Sequence, residues 1–179
     1  DAAMTYRLVV KEIATTNGVY ATFMPKPMAD QNGSGMHVHQ SLFKGERNAF
    51  FDVSDEYHLS AIARGYIAGL LHNARALTLV TNQWVNSYKR LTVGESLSGT
   101  TWAPAYIAHG ENNRTALVRT LPGRFEWRLP DASANPYLAS AALIAAGLDG
   151  IDRGLDPGPA TADDLFALEL SNAGVLSRT

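Results

Sequence analysis

The hexapeptide Arg124-Phe125-Glu126-Trp127-Arg128-Leu129 constrains this chain more than any other stretch. In a strand, successive side chains point to opposite faces. That periodicity places Phe125, Trp127 and Leu129 on one face and Arg124, Glu126 and Arg128 on the other. The first face demands a core. The second is a line of alternating charge that a core would reject. A chain carrying this strand must therefore build a sheet with one apolar side and one polar, working side.

The rest of the chain supplies partners for both sides. Met36 to Phe43 alternates and predicts a second strand, with Met36 and Val38 inward and His37, His39 and Ser41 sharing the outer face. Before it, Asn32-Gly33-Ser34-Gly35 allows close backbone approach to a ligand, and its amides can form an anion nest. Val19 to Met24 predicts a strand that ends at Pro25-Lys26-Pro27. Asn86 to Leu91 reads as a loop or short strand, and Ala105–Ala108 and Ala116–Thr120 read as short strands. Lys44 to Asn48 reads as a turn.

Helical spacing joins Tyr6, Val9, Val10 and Ile13, stopped by Asn17-Gly18. Ser54-Asp55-Glu56 reads as a helix N-cap, opening a long helix from Tyr57 to about Val80 with a break in it. Pro136 suits the first position of a helix running to about Leu148. Asp156-Pro157-Gly158-Pro159 breaks the chain, and Ala162 to Leu170 reads as a short helix. Thr92 to Thr101, rich in Gly, Ser and Thr, reads as a mobile loop.

The bulk properties exclude several classes. Fifteen basic and 17 acidic residues give a net charge of −2, so there is no basic surplus to track a nucleic acid or an anionic membrane. No run approaches the roughly 20 apolar residues that span a bilayer. No secretory signal pattern is visible. With no cysteine, disulfides, thiolate-bound zinc and a thiol nucleophile are excluded, which fits a cytoplasmic protein. The 179 residues suit one domain or a piece of a larger one. The chain starts at Asp1 and stops after Ser177-Arg178-Thr179 without a closing element, so a piece is expected.

Inside that balance, arginine outnumbers lysine 11 to 4, and five arginines with no lysine lie from Arg90 to Arg128. Arginine is the side chain for bidentate recognition of carboxylate and phosphate. Two arginines flanking one glutamate suit an anionic ligand plus a hard cation. Arg114 and Arg119 would fall on opposite faces of a regular strand, so a turn or bulge is needed to make them converge. Three or more arginines, two histidines, one glutamate and a Gly turn together describe a site for phosphates and a divalent ion.

Four motifs then bear a resemblance. Lys26-Pro27 with NGSGMHVHQS (32–41), NSYKRL (86–91), NNR (112–114) with Arg119, and RFEWRLPDASANPYL (124–138) resemble the motifs of the glutamine synthetase superfamily, in order and at similar spacing. The resemblance runs from TYRLVVKEIA to the DPG near Pro157. It implies an α+β fold, with a curved, mainly antiparallel sheet flanked by helices. It implies an ATP-dependent ligase that joins glutamate to ammonia or a small amine through γ-glutamyl phosphate. It implies that His37 and Glu126 bind Mg²⁺ or Mn²⁺, and that Asn32, Gly33, His37, Arg90 and Arg128 lie around glutamate. His39, Ser41, Arg114, Arg119 and Arg124 match the ATP side, and Arg90, Arg114 and Arg128 the catalytic arginines. It also implies that residues 1–179 are part of the catalytic domain, that a β-grasp domain precedes them, and that full-length subunits form a large double ring. The piece alone is expected to be inactive.

The chain departs from the common pattern between Thr92 and Pro104, TVGESLSGTTWAP. Trp102 stands where that pattern has a flap glutamate, and Glu95 substitutes only if the loop is shifted. This stretch looks more like the γ-glutamylmethylamide synthetase branch, which implies an alkylamine or polyamine acceptor. The TLPG segment between Arg119 and Arg124 is also short for the pattern, which removes room for adenine contacts. A non-catalytic nucleotide- or glutamate-binding relative is the reading from a different class, and a phosphagen-type guanidino kinase fits the motifs less well.

Overall fold

The computed structural model describes residues 1–92 and 103–167. Five helices and six strands follow in chain order: α1 (Ala2–Thr16), β1 (Val38–Gln40), β2 (Phe43–Lys44), β3 (Arg47–Asn48), α2 (Ala61–His72), α3 (Ala74–Thr81), α4 (Val85–Tyr88), β4 (His109–Glu111), β5 (Val118–Leu121), β6 (Arg124–Trp127) and α5 (Pro136–Asp152). The main sheet has the order β1-β6-β5-β4. Two of its pairings are antiparallel and the β4–β5 pairing is parallel. β2 and β3 make a separate hairpin around Gly45. The architecture is α+β with a mostly antiparallel, open sheet, as the motifs implied.

Register sorts the side chains. His39, Glu126 and Arg119 stand opposite one another across β1, β6 and β5, and Val38, Trp127 and Val118 form the next row. The second row belongs to the core. Phe125, Trp127 and Leu129 are fully buried with Ile67, Leu70 and Leu143. Phe50, Tyr66 and Phe125 pack as a triangle with ring centroids 5.3–5.9 Å apart, a geometry that adds about 1 kcal/mol per pair to the burial itself.

The helix layer behind the sheet is an α2–α5 crossing in which backbones touch. A Cβ added at Gly69 would lie 2.1 Å from the Ala146 carbonyl oxygen, and one at Gly150 would lie 2.2 Å from that of Gly65. Only glycine allows this approach. α5 is started by Pro136 at its first position and by Asn135, whose Oδ1 accepts from the N–H groups of Tyr137 (3.0 Å) and Leu138 (3.2 Å).

Several expectations are corrected. Val19–Met24 forms no strand: Val19, Tyr20 and Met24 are exposed, and β-favouring residues make a strand only where another backbone edge pairs with them. Met36–Phe43 splits, with β1 covering only Val38–Gln40 and Phe43 turning into β2. The long helix starts at Ala61, not Tyr57, and Ser60 is its cap, accepting from the Ala63 N–H at 3.2 Å. His58 has φ 54°, which interrupts any helix there, and Asp55 instead caps a turn through the N–H groups of Tyr57 and Leu59. The break within the helix lies at Asn73, between α2 and α3. Asn86 and Ser87 belong to the short helix α4 rather than to a loop or strand. The strand expected at Ala105–Ala108 lies instead at His109–Glu111, α5 extends to Asp152, and residues 162–167 form no helix, with one turn at Leu165 and Phe166. Of the expectations for Thr92–Thr101 and Ala162–Leu170, residues 93–101 and 168–170 lie outside the described residues, as do Glu95 and Trp102.

Candidate active site

Glu126 is the centre of the working face. Its side chain is 6% exposed. Oε1 lies 2.7 Å from His37 Nδ1 and 3.8 Å from His39 Nε2. Oε2 accepts from Arg119 Nη1 and from Arg128 Nη1, each at 3.2 Å. Burial pushes the Glu126 carboxyl up, but Arg128, Arg119 and His37 outweigh it and hold the carboxyl below its usual range. Its carboxylate therefore stays ionised at neutral pH. His37 is pushed below the usual histidine range, first by burial and then by Arg128, so it is neutral there. With Nδ1–H donated to Glu126, His37 keeps the Nε2 lone pair for a ligand.

His39 is fixed differently. Arg124 Nη1 donates to its Nδ1 at 2.8 Å, and its Nε2 lies 3.8 Å from Glu126 Oε1. Arg124 and His39 together form the exposed rim, and Glu126 forms the floor, held by Arg119 and Arg128.

A cavity of about 430 Å³ opens over this floor, lined by Lys26, Gly33, Gly35, His37, Arg90 and Glu126 among others. Its wall is the Asn32–Gly35 turn, pinned by Ser34 N–H to the Pro25 carbonyl (2.8 Å) and Met36 N–H to that of Pro130 (2.9 Å). A Cβ on Gly33 would lie 2.4 Å from the Pro25 carbonyl oxygen, and one on Gly35 would lie 2.8 Å from Arg90 Nη2 and 3.0 Å from His37 Nε2. The two glycines keep the wall close to the guanidinium without filling the space beside His37.

Arg90 braces this wall against β6. Its Nη1 donates to the Leu129 carbonyl (2.9 Å) and its Nη2 to that of Arg128 (3.3 Å). Burial lowers its pKa to about 10, partly offset by Asp131, so it remains cationic at neutral pH. The segment just after β6 is itself tied to the C-terminal cap of α3, where Asn82 Nδ2 donates to the Leu129 carbonyl (2.9 Å) and to Asp131 (3.3 Å).

The structure brings together most of the residues singled out in the sequence. Asn32, Gly33, His37, His39, Arg90 and Glu126 line the cavity. Arg119 and Arg128 clasp Glu126, and Arg124 holds His39. Arg114 is exposed in the turn before β5, close enough that its charge lowers the Arg128 pKa. Arg119 acts on Arg128 as well, so the two charges bear on the same guanidinium although Arg114 lies outside the strand. Ser41 is exposed beyond the end of β1 and is not among the residues lining the cavity.

Sequence reasoning missed Lys26 as a lining residue. Asn86 places it, accepting from the Lys26 N–H at 2.7 Å and donating to its carbonyl at 2.8 Å. The pairing of two motifs 60 residues apart carries no local signal. Asn113 carries a structural role that its place beside Arg114 does not signal. Its amide donates to the Thr161 and Asp163 carbonyls, tying the later segment to the turn.

The donors present fit a divalent cation in part. Neutral His37 Nε2 and the Glu126 carboxylate suit Mn²⁺, and the carboxylate suits Mg²⁺. No group of three His, Asp or Glu side chains able to hold a metal ion occurs among the described residues. These two residues therefore supply part of a coordination shell. No helix among the described residues is long and apolar enough to cross a membrane.

The comparisons agree with this geometry. The family described as glutamine synthetase, catalytic domain, matches residues 1–177. A glutamate–methylamine ligase from Methyloversatilis universalis is 49% identical over 175 residues, covering 95% of this chain and 40% of the relative. Glutamine synthetases from Halobacterium salinarum and Mycolicibacterium smegmatis are 49% and 46% identical, each with 94% of this chain covered and 37–38% of the relative. A solved GmaS/ADP complex superposes with a TM-score of 0.86 at 44% identity, covering 93% of this chain and 39% of that one. The chain thus spans about two fifths of the length of these relatives. With the working face, the cavity and these matches in agreement, the chain belongs to the glutamine synthetase family through its catalytic domain.

Proposed function

We propose that the whole protein of which residues 1–179 form part is an ATP-dependent ligase that makes a γ-glutamyl amide. One observation carries the reading: a buried carboxylate held by two arginines and a neutral histidine at the floor of a 430 Å³ cavity. Such a floor suits two anionic substrates that must meet. The γ-carboxylate oxygen of glutamate attacks the γ-phosphorus of ATP, and ADP leaves. The nitrogen of an amine then attacks the γ-carbonyl carbon of the acyl phosphate, inorganic phosphate leaves, and the nitrogen gives up a proton. The chain's contribution is positioning and charge neutralisation, the main needs of phosphoryl transfer.

Arg119, Arg114 and Arg124 face the phosphate side, with His39 on the same rim. Arg128 serves the transferring group, and Arg90 with the Asn32–Gly33 turn shapes the glutamate side. Ser41 belongs to the nucleotide side only by its motif. His37 and Glu126 would hold Mg²⁺ or Mn²⁺, which supplies charge neutralisation for the phosphates. Residues 1–179 form part of a catalytic domain that an upstream β-grasp domain completes, in large double rings of cytoplasmic subunits. The piece alone is inactive.

The acceptor is a small alkylamine rather than ammonia. This rests on Trp102, which stands where the common pattern has a flap glutamate, and on the similarity to a methylamine ligase. An alkylamine carries an alkyl group that ammonia lacks, and an apolar side chain such as tryptophan suits that group. The test gives the full-length protein ATP and glutamate with ammonium, methylamine or ethylamine, and follows phosphate release and γ-glutamyl product by mass spectrometry. Methylamine is expected to give the highest kcat/KM. A preference for ammonium overturns the acceptor assignment, and phosphate release without any γ-glutamyl product overturns the ligase.

A further inference from the structure

Arg119 meets Glu126 with one corner of its guanidinium, and Asn112 holds the opposite edge. Arg119 Nε donates to Asn112 Oδ1 at 3.0 Å, and Arg119 Nη2 donates to the same oxygen. Nη1 donates to Glu126 Oε2 at 3.2 Å. One neutral oxygen thus occupies the Nε–Nη2 fork of the arginine, and Nη1 and Nη2 each keep one further N–H beyond those given to Glu126 and Asn112.

The placement of Asn112 is specific. It follows β4 directly and adopts φ 48°, a left-handed conformation that asparagine tolerates better than most residues. Its N–H donates to the Thr120 carbonyl at 2.9 Å, one residue beyond Arg119. Parallel strands are ordinarily joined by a dozen or more residues, yet residues 112–117 alone connect β4 to β5. Asn112 is where the chain turns back. The same residue reverses the backbone and grips the arginine on the next strand.

We propose that Asn112 is a positioning residue that orients the Arg119 guanidinium toward nucleotide phosphates. It does not touch the reacting atoms. It acts by fixing which edge of Arg119 faces the cavity side of Glu126, so that the arginine needs no reorganisation when a polyphosphate arrives. This inference rests on the nucleotide-binding reading above.

The test uses the full-length protein with Asn112→Gly, Asn112→Asp, Arg119→Ala and the Asn112→Gly/Arg119→Ala double variant. Glycine removes the acceptor but keeps the left-handed turn free of strain, and aspartate keeps an acceptor oxygen. Isothermal titration with MgATP gives Kd, and thermal unfolding gives Tm. Asn112→Gly is expected to weaken MgATP about tenfold, the scale of one hydrogen bond to a charged group. Asn112→Asp should stay near the parent, and Asn112→Gly should add nothing once Arg119 is alanine.

An unchanged Kd for Asn112→Gly, with or without a fall in Tm, overturns the proposal. So does an undiminished effect in the Arg119→Ala background, or an aspartate variant as weak as the glycine one. If Asn112→Gly does not fold, Asn112→Ala carries the comparison, and failure of both to fold assigns Asn112 to the turn alone. A parent that binds MgATP but forms no γ-glutamyl product overturns the ligase and leaves the Kd comparison to decide Asn112. A parent that does not bind MgATP overturns both.

Discussion

The two faces of β6 are held by opposite kinds of force. Phe125, Trp127 and Leu129 are fully buried in the apolar core, and each adds stability roughly in proportion to the area it hides. Glu126 and Arg128, one residue away on the same backbone, are nearly as buried but are stable only as a set. The core face tolerates any side chain of suitable volume. The working face tolerates no missing partner, because a buried charge left alone costs far more than a lost contact.

The largest test of this contrast is on the core side. Trp127→Ala is expected to cost about 4 kcal/mol, read from urea unfolding of the intact protein, because its void sits between Val38 and Val118. A cost under 1 kcal/mol would show that the sheet does not depend on this row. Next is Glu126→Gln, which leaves Arg119 and Arg128 without their shared anion. A loss of about 3 kcal/mol is expected, with product formation abolished. Full stability in the glutamine variant would mean the arginines are solvated rather than balanced by Glu126.

Acidification separates the faces without mutation, since only one of them titrates. His37 has a folded pKa below its unfolded value, so the folded protein resists its protonation. Stability should fall as pH drops through the unfolded histidine value of about 6.5 toward the lowered folded one. Glu126 is the reverse case, its contribution being present above the unfolded carboxylate range and lost as pH falls through its lowered folded pKa. Midpoints measured from pH 7.5 to 4 should show a smaller first loss in His37→Gln than in the parent, the remainder coming from buried His109, whose pKa is also lowered by burial. An identical pH profile in that variant would remove His37 from the balance. The smallest effect is expected from Trp127→Phe, at about 1 kcal/mol. The indole Nε1 has no hydrogen-bond partner in the described structure, so phenylalanine loses volume but no bond.

This contrast also explains what was legible in the sequence. The alternation of 124–129 gave the inward and outward sets correctly, because period two is a property of the backbone. The interruption between α2 and α3 and the Pro136 start of α5 were legible for the same local reason. The failures were non-local. Val19–Met24 has strand composition but no paired edge, and the start of α2 depended on His58 taking a positive φ that no spacing rule signals. In the site, residue types announced phosphates and a cation. Which atoms grip which did not follow: Arg90 bonds backbone carbonyls, Lys26 enters the cavity wall through Asn86, and Asn112 takes the side of Arg119.

The register that puts His39, Glu126 and Arg119 in one row has a consequence for assembly of the fold itself. A slip of one residue in either neighbouring strand would exchange the two faces, driving an imidazole, a carboxylate or a guanidinium into the space meant for Val38, Trp127 and Val118. Misaligned sheets are thereby penalised by the residues of the site. Chemistry and folding share one checkpoint: a molecule that has found its core has, by the same pairing, already set its working groups in line.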